Sequence, residues 1–117
     1  MNSSNVVIGV SYLSIAILLV ILSIPLYLGN VRMNRFYGAR FKKSFSSEKN
    51  WYKINRYAAK QMIGWSLLLF LTGIAAFLVD FGANGNVRTG LTIAFLSVPL
   101  IAAFAPLILT YLYARRL

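Results

Sequence analysis

The chain has 117 residues, of which 59% are hydrophobic and only 12% charged, with a formal net charge of +10. That length allows one domain, and the balance is far from that of a globular protein and close to that of a membrane protein. Cysteine and histidine are absent and the carboxylates are Glu48 and Asp80 alone, which excludes disulfides, thiolate chemistry, most metal sites, paired-acid mechanisms and histidine triads. No metal, no cofactor and no catalytic residue is expected.

Three apolar runs, Val6 to Leu28, Met62 to Val79 and Leu91 to Tyr113, are each near the roughly 20 residues a helix needs to cross a hydrocarbon core of about 30 Å. They predict spans over 6–28, 60–80 and 90–113, with a loop over 30–50. The fold class is all-α: an integral membrane protein with three transmembrane helices and an interfacial basic and aromatic cytoplasmic loop. The first run is preceded by MNSSN, which has no Lys or Arg, and no small-residue cleavage site follows it. It is therefore expected to stay attached as a span and not to act as a cleaved signal. Pro25 and Gly29 predict a kink or an end to this helix near its basic side.

The 12 Lys and Arg residues are unevenly placed. Nine lie between the first two spans, Arg88 lies between the second and third, and Arg115 and Arg116 close the chain. Basic residues near span ends are retained on the cytoplasmic side, which predicts a multi-pass protein of the bacterial inner membrane with the N-terminus outside and the C-terminus cytoplasmic. The same charge argues for contact with anionic lipid headgroups and not for nucleic acid, because no nucleic-acid motif accompanies it.

In the loop, Phe36, Tyr37, Phe41 and Phe45 alternate with basic residues, as in a segment lying in the headgroup zone. Gly38 argues against one uninterrupted helix there. A new helix is predicted from SSEKNW, with Ser46 or Ser47 as N-cap and Glu48 in the first turn, running without a break into the second span. On such a helix Lys49, Lys53, Arg56 and Lys60 form a basic face, while Trp51, Asn55, Ala58 and Met62 fall opposite and turn toward the other helices or the loop. Gln61 is expected to bond a neighbouring helix, and Gly64, Gly73, Ala75 and Ala76 to permit close packing. Asp80 ends the second span, either solvated or paired with Arg88, and Asn84-Gly85 suits a tight turn. Pro99 and Pro106 lie in the third span, where a static kink is expected at either one.

From Asn34 to Asn55 the order NRFYGAR, then WYKIN, then NRYAAK through Lys60 resembles the signature of the SdpI family, small bacterial membrane proteins. The matching residues are Asn34, Tyr37, Gly38, Arg40, Trp51 and Asn55. The chain departs from the family pattern at Arg32-Met33, where prolines often precede the first Asn, and at Phe41-Lys42, where Thr-Pro often follows the Arg. The resemblance implies immunity to, or sensing of, a membrane-active peptide toxin without catalysis, with a toxin peptide and a cytoplasmic regulator as partners. A homo-oligomer that builds a pocket between subunits is a further expectation, since three helices enclose little alone. The alternative is a membrane binding or transport module for a lipid or small amphiphile.

Two readings of the signature stay open at this level. Its residues would line a ligand pocket, or they would satisfy backbone groups freed where the first helix breaks and anchor the interface.

Overall fold

The computed structural model describes residues 3–79 and 85–117. Three helices follow one another along the chain: α1 over Ser3–Tyr27, α2 over Glu48–Ala76 and α3 over Gly85–Arg115, with a single 3₁₀ turn at Lys42–Phe45 between the first two. All three are long and apolar enough to cross a membrane. The residues 80–84 of the expected turn, Asp80 among them, lie outside the described residues, as does any pairing of Asp80 with Arg88; Gly85 is the first residue of α3.

At a rise of 1.5 Å per residue, the 29 residues of α2 span about 44 Å, well beyond a hydrocarbon core of about 30 Å. The excess is the basic first part, which starts on Ser47: the Ser47 Oγ accepts from the Asn50 N–H at 3.0 Å, as an N-cap should. No break follows, and the helix runs into the apolar segment as its sequence requires. α1 continues through Pro25 and ends two residues later. Gly29, at φ +75°, sits just past the end, with its N–H on Leu26 O at 3.3 Å and the Asn30 N–H on Pro25 O at 3.0 Å. This pair of bonds is a Schellman close, and it explains why Gly29 and not Pro25 sets the boundary. α3 contains both Pro99 and Pro106 without interruption.

α2 is the central element, with α1 and α3 packed against it and the 3₁₀ turn seated on its first turns. Tyr12, Ala16 and Leu69 form the buried cluster between α1 and α2, flanked by Ile8, Phe70 and Val98. Close approach there depends on Gly73, where a Cβ would meet Tyr12 Cβ at 3.1 Å, the Leu13 nitrogen at 3.2 Å and Gly9 O at 3.3 Å. Such backbone-to-backbone packing is what small residues provide where lipid removes the hydrophobic drive between helices. Gly64, expected to serve the same purpose, instead has open space around its missing side chain. Gln61 also differs from expectation: its Oε1 accepts from Trp65 Nε1 at 3.2 Å, one turn along its own helix. At the far end Asn5 of α1 donates to Ala76 O at 2.6 Å, the last carbonyl of α2, and to Val79 O just past the helix. Tyr12 OH donates to Phe95 O at 2.7 Å and ties α1 to α3.

This arrangement brings the end of α1, the loop, the start of α2 and the end of α3 together, and with them eleven of the twelve basic residues. The Tyr57 and Tyr113 rings stack there at 4.2 Å and hold α3 to α2, while Arg115 lies 6.0 Å over the Tyr111 ring one turn back on α3 itself. Substituting Gly73→Leu should lower stability in detergent by about 1–3 kcal/mol, because backbone atoms of α1 block the new side chain. Gly64→Leu should leave the melting temperature unchanged or raise it, and paired thermal melts check both.

Candidate functional site

The chain between α1 and the 3₁₀ turn forms neither helix nor strand, so its backbone groups need partners from elsewhere. Asn34 organises the first part. Its Oδ1 accepts from the N–H groups of Phe36 and Tyr37 at 2.9 and 2.7 Å, and its Nδ2 donates to Arg32 O and Tyr37 O at 2.7 and 3.0 Å. All four bonds of one amide are thereby used in a local turn, the characteristic use of an Asn side chain in a loop.

The second part is held by α2. Trp51 is fully buried, and its Nε1 donates to Val31 O at 2.9 Å. One turn later Asn55, 1% exposed, accepts the Ala39 N–H on Oδ1 at 2.6 Å and donates through Nδ2 to Trp51 O at 2.9 Å. The four-residue spacing of Trp51 and Asn55 puts both on the same helix face, so one rigid surface grips the loop at Val31 and at Ala39. Gly38 lies between these grips at φ +125°, where a Cβ would stand 2.6 Å from Asn55 Oδ1 and 3.1 Å from the Trp51 ring. Only glycine meets both the conformational and the steric demand.

The remaining signature residues reach outward from this centre. Tyr37 OH donates to Leu22 O on α1, and Arg40 Nη1 donates to Arg35 O within the loop. Arg56, from the basic face of α2, donates through Nε to Tyr27 O at the end of α1 at 3.1 Å. Phe41 meets Tyr111 of α3 edge-on at 5.7 Å, and Phe45 packs at 5.7 Å on Trp51. Phe36, by contrast, is 91% exposed. The structure thus brings Asn34, Tyr37, Gly38, Arg40, Trp51 and Asn55 into one assembly.

Two openings border it. One is a cleft of about 490 Å³ walled by Leu22, Ser23 and Leu26 of α1, residues 37–41 of the loop, Ala58 and Met62 of α2, and Ala103, Pro106, Leu107 and Thr110 of α3. The other is a groove of about 340 Å³ that gathers Lys49, Lys53, Arg56 and Lys60 with Tyr52, Tyr57 and Tyr113. The four cations of the basic face are exposed and share this groove with the stacked Tyr57–Tyr113 pair. Sequence reasoning missed Ser44, fully buried, whose Oγ accepts from the Phe41 N–H at 3.2 Å, and Thr110. A serine in a basic loop and a threonine in an apolar run carry no distinguishing pattern.

An all-α protein with three membrane-length helices and a signature-bearing loop clamped to the central helix is the class these features define. A protein-family model, the SdpI/YfhL protein family, matches residues 30–110, and the chain belongs to that family. No curated protein and no solved structure matches the chain.

Asn55→Ala would leave the half-buried Ala39 N–H without its partner, which should lower stability by about 1 kcal/mol. Gly38→Ala should act in the same direction, since strain and a clash with Asn55 add. Phe36→Ala should be neutral, and thermal melts combined with limited proteolysis over residues 30–45 separate the three.

Proposed function

We propose that this chain gives immunity to, or senses, a membrane-active peptide toxin, by binding and without catalysis. The observation that carries the reading is the position of the cleft: it opens directly beneath the family signature, between α1 and α3, with Tyr37, Gly38 and Arg40 in its wall. Family membership supports the same role. The polar groups of Asn34, Trp51 and Asn55 are engaged with backbone groups of the loop, which suits a rigid binding frame better than acid–base chemistry.

On this reading the basic end faces the cytoplasm of a bacterial cell, the N-terminus lies outside, and Lys49, Lys53, Arg56 and Lys60 meet anionic headgroups at about 1 kcal/mol each. The same face would dock an acidic cytoplasmic regulator, and a homo-oligomer would enlarge the cleft between subunits. A module for a lipid or small amphiphile is the second reading, favoured by a cleft volume within the roughly 300–1,000 Å³ of small-molecule sites. It differs from the first only in the occupant.

Expression in a sensitive strain should raise survival against one peptide in a panel of membrane-active toxins, and Arg40→Ala should abolish protection at unchanged protein level. Equal survival with and without the protein across the panel overturns the immunity reading. Because the chain has no cysteine, Ser3→Cys and Ser46→Cys report orientation cleanly. An impermeant maleimide added to whole cells should label the first and spare the second.

A further inference from the structure

Hydroxyl side chains on membrane helices usually return a hydrogen bond to a carbonyl about one turn back. Ser23, Thr72 and Ser97 do so here, donating to Leu19 O, Leu68 O and Ala94 O at 2.6, 2.8 and 2.7 Å. Thr110 does not. It is 2% exposed, and its Oγ1 has no hydrogen-bond partner among the described residues. A buried hydroxyl without a partner is costly, and native proteins leave few of them.

Thr110 is part of the wall of the cleft beneath the signature loop. The hydroxyl oxygen is itself shut off from solvent, so it meets an occupant of the cleft only by a turn about χ1 to another staggered position. Arg40 is the single charged residue in the same lining among the described residues, and it is exposed. Of the five N–H donors of its guanidinium, the bond to Arg35 O uses one. Among the described residues no carboxylate lies in the lining, and most of the remaining wall is aliphatic, from Leu22, Leu26, Met62 and Leu107. The cleft therefore combines a cationic fork suited to a carboxylate, a hydroxyl in need of a partner, and an apolar surface.

We infer that this cleft takes the carboxylate end of a single apolar chain, with Arg40 and Thr110 recognising the head and the aliphatic wall holding the chain behind it. The inference rests on the proposed function in taking this cleft as the binding site, and it adds the chemical class of the ligand. An apolar peptide ending in a free C-terminus and a fatty acid both present that chemistry. Ser66 provides a control: among the described residues its Oγ is also without a partner, but it lines a cleft between α1 and α2 whose described walls carry no charged residue.

The test is photolabelling of the full chain in phosphatidylcholine nanodiscs, with adducts mapped by mass spectrometry. One arm uses diazirine-bearing palmitic acid and its methyl ester. The other uses an apolar leucine–alanine peptide with photoleucine at its last position, as the free acid and as the amide. In at least one arm the acid should label residues 22–26 and 103–110 about tenfold more than its neutral counterpart, the factor that one lost hydrogen bond to a charged group corresponds to. That arm identifies the source. Thr110→Val and Arg40→Gln should each remove most of the preference, Ser66→Ala should keep it, and Thr110→Val should melt no lower than the wild type. Equal labelling by acid and neutral probes in both arms, or labelling unchanged in Thr110→Val, overturns the inference. Protection against a toxin with no acid preference would leave the immunity reading standing and this one refuted. Acid-selective labelling in a chain that protects against nothing would do the reverse.

Discussion

The Trp51 and Asn55 side chains, one turn apart on α2, hold an irregular stretch of backbone that has no ladder of its own. Every peptide group in such a stretch must find a partner or be left to water, and a segment wedged between helix ends has limited access to water. Trp51 supplies a donor to Val31 O and Asn55 an acceptor to the Ala39 N–H. These two bonds set where the loop sits, and the loop in turn sets the separation of α1 and α3 at the basic end. Tyr37 reaches α1 and Phe41 reaches α3 from opposite sides of it. The cleft exists because the loop stands between the two helices there.

The opposite end is built on a different principle. There the helices close on one another through small residues and a single amide: Gly73 lets α1 backbone come within 3.2–3.3 Å of where a Cβ would stand on α2, and Asn5 covers the last carbonyl of α2 and that of Val79 just beyond it. Tyr12 adds the bond from α1 to α3. In lipid, where apolar burial between helices gains little, such steric fit and hydrogen bonding are the means by which helices hold together.

The basic residues can be understood against this shape. α1 ends, α2 begins and α3 ends on the same side, so charges far apart in sequence collect on one surface. The groove with Lys49, Lys53, Arg56, Lys60 and the tyrosines is one product of that convergence. Arg56 also serves the fold, since its guanidinium reaches the last turn of α1 at Tyr27 O. A helix C-terminus favours a nearby cation, so the same residue satisfies a carbonyl and the local dipole.

By itself the sequence determined the number of helices, a continuous α2 capped at Ser46 or Ser47, and the two-faced character of that helix, because apolar length, capping and periodicity are local properties. It also marked Asn34, Tyr37, Gly38, Arg40, Trp51 and Asn55 as belonging together. Only the tertiary structure decided what each one touches. Asn55 bonds an amide sixteen residues away and Trp51 a carbonyl twenty away, and nothing local specifies those partners. For the same reason Gln61 turned out to bond within its own helix, Gly64 to face open space, and Thr110 to stand unpaired in a cleft wall. Which side of a membrane helix meets lipid, a neighbour or a cavity depends on how three nearly uniform apolar cylinders pack, and their weak periodicity leaves that choice to contacts made only in three dimensions.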